Sequence, residues 1–111
     1  MVPYSAGMDA IFKALADKGR RRLLERLRQH DAQSLSELCA GMDMTRPAVA
    51  KHVAILEEAG LLRVQWRGRR KIHFLNTTPL FQIKERWLEA FDRPERMAKK
   101  ALDQALSGRK P

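Results

Sequence analysis

The sequence predicts a mainly α-helical chain with one small β-hairpin, and three observations predict it. Apolar residues recur at helical spacing along most of the chain. The period changes to alternation only after Gly60, and Arg67-Gly68-Arg69-Arg70 interrupts that alternation once. A chain of 111 residues has room for one core of a few helices and a small sheet. A single domain over 1–111 is therefore expected, with its core at 8–91 and a helical extension at 92–106.

Residues 1–7 read as a loose leader. Met8, Ile11, Phe12 and Leu15 then recur at i, i+3, i+4, i+7, the spacing of a short amphipathic helix. Asp17-Lys18-Gly19 breaks it. A second helix from about Arg20 to Gln29 buries Leu23, Leu24 and Leu27, with Arg20, Arg21, Arg22, Arg26 and Arg28 on or beside its polar face. Most of these arginines are expected to be solvated, and a minority to reach phosphate. His30-Asp31-Ala32-Gln33 reads as polar linker. Ser34-Leu35-Ser36-Glu37 has the S-x-x-E form of a capping box and opens a third helix with Leu35, Leu38, Cys39 and Met42 inward.

The turn Gly41-Met42-Asp43-Met44 leads into the helix on which the chain is organised. Thr45 can cap its first turn, Pro47 lacks only an N–H that would have no intrahelical partner, and Gly60 can turn left-handed to end it. At 100° per residue, Ala48, Val49, His52, Val53, Leu56 and Ala59 share one side. Arg46, Pro47, Ala50, Lys51 and Ala54 share the other, a low, small-residue face with no acid before Glu57. A helix that enters a groove and touches base edges has this character; so has an Ala-rich surface helix. Two short helices joined by a Gly-containing turn have the form of a helix-turn-helix.

Beyond Gly60, Leu62, Val64 and Trp66 alternate with Arg63, Gln65 and Arg67, and Ile72 and Phe74 with Lys71, His73 and Leu75. Trp66 is expected to anchor this hairpin in the core, in phase with Val64 and Leu62. No acid lies between Glu58 and Glu85, so the tip is purely cationic in sequence. A helix-turn-helix followed by a basic-tipped hairpin is a winged helix. Thr78-Pro79 opens a further helix whose Leu80, Ile83, Trp87 and Phe91 share a face flanked by Phe81 and Leu88, either core or half of a subunit interface. Asp92-Arg93-Pro94-Glu95 restarts a last helix with Ala98, Ala101, Leu102 and Ala105 as a thin seam, and Ser107–Pro111 reads as a frayed tail.

Composition narrows the partners. Twenty-two Lys and Arg against 13 Asp and Glu leave a formal charge of +9, which favours polyanions. Nucleic acid leads and an anionic membrane surface follows; no apolar run approaches the ~20 residues of a membrane span. Met1–Asp9 lacks the basic start and apolar core of a secretion signal, and the single cysteine, Cys39, excludes an intrachain disulfide framework and suits a reducing cytoplasm. No nucleophile–base pair or phosphate loop emerges, so neither catalysis nor a cofactor is expected.

The segments Ala14–Leu24, Ser36–His52, Leu56–Leu62 and Arg67–Asn76 resemble the ArsR/SmtB winged-helix repressors, in order over residues 8–91. The resemblance implies a bacterial homodimer, paired through its first and last helices, that binds an imperfect palindrome in a promoter. It also exposes departures. The family's thiolate box, E-L-C-V-C-D-L, would put its cysteines at Ser34 and Ser36. Leu80–Phe91 has no histidine for the family's other metal site, and Lys18-Gly19 stands where Pro-Thr is usual. The chain resembles a metal-independent branch, and His30, His52 and His73 lie on separate elements.

The expected DNA contacts are Thr45, Arg46, Pro47, Ala50, Lys51 and His52 on the helix and Arg67, Arg69, Arg70 and Lys71 on the wing. Arg46 can offer a fork to guanine or phosphate, Lys51 a point charge, and a narrow minor groove attracts arginine. His52 falls in the apolar stripe and reads as a packed histidine with one nitrogen free for backbone or phosphate. The expected dimer contacts are Met8, Ile11, Phe12, Leu80, Ile83, Trp87, Leu88 and Phe91. A competing reading is a redox- or ligand-responsive sensor switched through Cys39 or an interface pocket; Cys39 by itself reads as a small core residue. A non-specific basic nucleic-acid module is a third.

Overall fold

The computed structural model describes residues 6–91 and 102–106. In chain order it has α1 (Ala6–Leu15), α2 (Lys18–Gln29), β1 (Gln33–Ser34), α3 (Leu35–Ala40), α4 (Arg46–Glu58), β2 (Leu62–Arg67), β3 (Arg70–Leu75) and α5 (Thr78–Ile83). A π-helical turn, Lys84–Leu88, and helical residues 89–91 continue α5. Ser5–Leu80 gather into one compact unit, and Phe81 onward belongs to another. The leader is shorter than expected, since α1 starts at Ala6, and residues 1–5 lie outside the described residues. So do the restart at 92–95, Ala98, Ala101 and the tail. Residues 102–106 are helical with Leu102 and Ala105 exposed.

Three differences from the sequence reading have simple causes. Asp17 does not merely interrupt the chain: its carboxylate accepts from the Arg20 N–H at 3.0 Å, so α2 starts at Lys18 rather than Arg20. The polar linker ends in a strand, because Gln33 and Ser34 pair antiparallel with His73 and Ile72. The sheet is therefore three-stranded, in the order β1-β3-β2. With neighbours on both edges, β3 buries both faces at its centre, Ile72 (3% exposed) and His73 (2%). The His73 Nδ1–H donates to the Gln33 carbonyl, 2.9 Å away, which satisfies the buried ring. The third difference is Trp66, which is 65% exposed. The core covers the hairpin only at its base, at Leu62, Ile72 and His73, and the alternation runs on past the end of that cover.

The core itself joins Leu23 and Leu27 of α2, Leu38 of α3, Val49 and Leu56 of α4, and Leu61, all essentially closed to solvent. Each contributes roughly 1.5–3 kcal/mol of apolar burial. Leu24 is only half-buried. The arginines of α2 lie mostly at the surface, Arg21, Arg22 and Arg28 exposed and Arg20 and Arg26 half-buried, yet four of the five are bonded. Arg20 donates to the carbonyls of Ala14 and Lys13 (2.8 and 2.9 Å) and Arg21 to that of Leu15 (2.7 Å), closing the open C-terminus of α1. Arg26 donates to the Glu37 carbonyl and the Gln33 side chain, and Arg28 pairs with Glu25.

Two helix starts depend on carboxylates. The Arg20 backbone N–H holds the Asp17 carboxyl below its usual range against partial desolvation, with His52 and the Arg20 side chain adding to it. The Ser34 backbone N–H, then its side chain, then Arg70 do the same for Glu37. A carboxylate held low stabilises the fold above its unfolded pKa, and that stabilisation disappears as pH falls through the folded value. The thermal midpoint should therefore drop below about pH 5. The double variant Asp17→Asn, Glu37→Gln keeps the acceptor oxygens and removes the titrations, so its midpoint-against-pH curve should be shallower, though not flat, because Glu25 remains. An unchanged slope would place the acid sensitivity elsewhere.

Candidate nucleic-acid interface

The helix-turn-helix is α3, the turn 41–45 and α4. Ser34 and Glu37 form the expected capping box, with Glu37 N–H donating to Ser34 Oγ (3.2 Å) and Ser34 N–H to Glu37 Oε1 (3.0 Å). At the turn a Cβ on Gly41 would fall 1.2 Å from Arg26 Nη1, so glycine leaves room for the guanidinium that braces α2 against α3. Thr45 caps α4, its hydroxyl accepting from Ala48 N–H at 3.3 Å. The far end closes with Leu61 N–H on the Leu56 carbonyl and Gly60 N–H on that of Glu57, Gly60 taking φ +78°. Leu56 and Leu61 are both fully buried, the apolar contact that accompanies such an ending.

This frame sets which side of α4 is free. Val49, Val53 and Leu56 are buried; Thr45, Arg46, Pro47, Lys51 and Ala54 are exposed and Ala50 half-buried. Arg46 reaches back to Ser36 Oγ (3.1 Å), which steadies its guanidinium beside the start of α3. His52 is set apart from these residues. Its Nδ1 lies 3.3 Å from Arg20 Nη1 and its Nε2 3.7 Å from Asp17 Oδ2. Nδ1 thus faces α2, and Nε2 faces the Asp17 cap. Gly19 makes that approach possible: a Cβ there would lie 3.0 Å from Asp17 Oδ2 and 3.1 Å from His52 Nε2. The Lys18-Gly19 departure therefore bears on how α4 is held.

The wing turns over two residues. Arg67 pairs with Arg70, and Gly68 supplies the positive φ of +64°. The tip has no acid in sequence but two in space. Arg70 Nη2 lies 3.0 Å from Glu37 Oε1, and Lys71 Nζ 3.1 Å from Glu57 Oε2. Arg67 packs over the Phe74 ring, 5.8 Å from its centroid. Arg69 has no partner among the described residues. Between α4 and the wing runs an open cleft of about 450 Å³, with Arg46, Ala50 and Ala54 on one wall and Trp66, Arg69 and Lys71 on the other. Sequence reasoning missed Ser36, Glu37 and Glu57 as supports and misplaced Trp66; no spacing rule connects residues 10 to 33 positions apart.

The remaining expected site residues scatter. Met8 and Ile11 are buried within the single chain and Phe12 half-buried. Ile83 is buried, Leu80 and Trp87 half-buried, and Phe81, Leu88 and Phe91 exposed. Trp87 and Phe91 meet edge-to-face at 5.0 Å. Cys39 is half-buried and free. Among the described residues no three His, Cys, Asp or Glu side chains gather closely enough to hold a metal ion. Nor is any described helix long and apolar enough to cross a membrane.

Known proteins carry the same arrangement. A helix-turn-helix domain family matches residues 15–65. An uncharacterized HTH-type transcriptional regulator of Bacillus subtilis, YuzN, is 37% identical over 87 residues, which span 73% of this chain and 95% of the relative. The transcriptional repressor SdpR, also of Bacillus subtilis, is 29% identical over 73 residues, 66% of this chain and 80% of SdpR. The crystal structure of an ArsR family transcriptional regulator superposes with TM-score 0.74 at 32% identity, covering 86% of this chain and 97% of that one. A capped recognition helix, a basic wing and these matches lead to one assignment: the chain belongs to the ArsR family of winged helix-turn-helix transcriptional regulators, DNA-binding proteins rather than enzymes.

Proposed function

We propose that the chain is a homodimeric repressor that binds an inverted-repeat operator and needs no thiolate-bound metal to do so. The observation that carries the reading is the shared cleft, where the small, exposed face of α4 and the cations of the wing meet on one side of the molecule. Arg46 and Lys51 on α4 are the base and phosphate contacts, with the N-terminus of α4 near a phosphate. Arg69, free of acids, is the wing's foremost phosphate or minor-groove contact. Repression follows from occupancy, since a dimer lying across a promoter excludes the polymerase.

The pairing surface is the helix beginning at Thr78. Phe81, Leu88 and Phe91 are 56%, 49% and 61% exposed, more large apolar surface than a short helix leaves to water without a partner. Freedom from metal is supported by the side chains at the box positions. Ser34 Oγ is committed to the capping box and Ser36 Oγ to Arg46. Neither serine offers a thiolate.

Selection of bound duplexes from a random library tests the whole reading. It should return an inverted repeat with half-sites about one helical turn apart, ~10 bp. No enrichment over random duplex would leave only a non-specific basic module.

In gel filtration at micromolar concentration the chain should elute as a dimer. Leu88→Asp with Phe91→Asp should shift it to monomer and weaken operator binding by at least about tenfold, while the melting transition of the helix-turn-helix persists. A dimer that survives both charges pairs elsewhere.

Salt titrations separate the wing cations. Arg69→Ala should reduce the slope of log K against log salt by about one unit. Arg70→Ala should reduce it less, because Arg70 must first leave Glu37. Equal losses would mean that the ion pair is already open when DNA binds.

A further inference from the structure

Trp66 is a large residue that the fold itself leaves without a role. It stands on β2 opposite Lys71, so the two side chains share a face of the wing, and that face turns toward α4 across the cleft. Its ring is two-thirds exposed, and its indole N–H has no partner among the described residues. Leaving so much apolar surface and a strong donor in water, beside Lys71, serves nothing in the fold itself. The opposite wall is cut low by Ala50 and Ala54 and bounded by Arg46. Cations at the rim select an anionic occupant, the low wall admits a thick one, and the indole offers a flat apolar face with one donor at its edge. A sugar–phosphate strand has the matching features: an apolar deoxyribose face beside a phosphate oxygen.

We propose that Trp66 is a DNA-backbone contact, packing its ring on a deoxyribose and donating Nε1–H to a phosphate of the strand that passes between α4 and the wing. This rests on the DNA-binding reading above. It assigns to a neutral residue part of the affinity that charge alone would be credited with. Because an indole displaces no counterion, its contribution is independent of salt, unlike that of Arg69.

The experiment compares wild type, Trp66→Phe, Trp66→Ala and Arg69→Ala on the duplex obtained by selection, by intrinsic fluorescence and by affinity at several salt concentrations. Trp66→Ala should bind about tenfold more weakly at every salt concentration with an unchanged slope. Trp66→Phe, which keeps a ring and loses the donor, should fall between. Duplex should change the tryptophan emission of wild type, and that change should vanish in Trp66→Phe. Equal melting temperatures for all four proteins establish that the fold is intact, as the exposure of both side chains predicts. Affinity within about twofold of wild type, emission unmoved at saturation, or a changed salt slope in Trp66→Ala would each overturn the assignment. If wild type binds no duplex, the DNA reading fails first and the assignment falls with it; if wild type binds and only Trp66→Ala is silent, Trp66 alone is at fault.

Discussion

Gln33 and Ser34 tie the helical half of the domain to its wing. Their backbone pairs with His73 and Ile72, so a two-residue strand fixes the central strand of the hairpin against the end of α2. Their side chains work in other directions. Gln33 donates to the carbonyls of His30 and Arg26, which close α2. Ser34 caps α3, and through that cap Glu37 is placed where it meets Arg70. Both residues are buried, and a buried polar group costs free energy unless it is bonded. The bonds are therefore not optional. The approach to this strand has its own cost, since Ala32 sits at φ +61°, a conformation that L-residues other than Asn and Asp seldom adopt. The register of the wing relative to the helix-turn-helix follows from this junction, and so does the width of the cleft between α4 and the hairpin.

The positive charge of the chain is divided by function. Arg20 and Arg21 terminate α1, and Arg26 bridges α2 to α3 across Gly41. They add to the long-range field that draws a polyanion in. Arg46 and Lys51 on α4 and Arg69 on the wing are exposed. A net charge of +9 thus measures attraction, not the number of phosphate contacts. The salt slope, which counts displaced ions, reads the second quantity.

How much of this was legible in the sequence follows the range of each interaction. The caps at Thr45 and Ser34, the glycine stop at Gly60 and the Gly-containing connection of the hairpin are local, each fixed within about six residues, and all were readable; that the turn has only two residues was not. Strand β1 was not, because two residues carry no period and its partner lies 40 positions away. The exposure of Arg21, Arg22 and Arg28 was legible from helical phase, but the carbonyls that Arg20, Arg21 and Arg26 meet were not, because phase records direction and not what lies there. Trp66 was misread for the opposite reason: its phase with Leu62 and Val64 is real, but phase persists beyond the point where the core stops. The acids opposite Arg70 and Lys71 are contacts of tertiary structure, invisible to a scan that asks only which residues are neighbours in the chain. The exposed face of α4 was legible because a single helix, once its ends are known, determines its own faces.

The pairing of Arg70 with Glu37 and Lys71 with Glu57 clarifies how a wing can be ordered without being blocked. The Arg70–Glu37 pair is largely solvated and the Lys71–Glu57 pair about one-third exposed, and surface ion pairs of this kind contribute little to stability. They need only bias two long side chains and hold the hairpin toward α3 and α4. On the DNA-binding reading proposed above, a phosphate offers these cations a partner of the same sign as the carboxylate it replaces, so exchange costs little and the released carboxylates return to water. Buried pairs would behave differently, because removing one partner strands an uncompensated charge. Placing the acids on the flanks of α3 and α4, rather than on the wing, also keeps the hairpin purely cationic. Arg69 at the turn is thereby left with no acid within its own strand to compete with DNA, while Trp66 one step inward adds surface that salt does not screen.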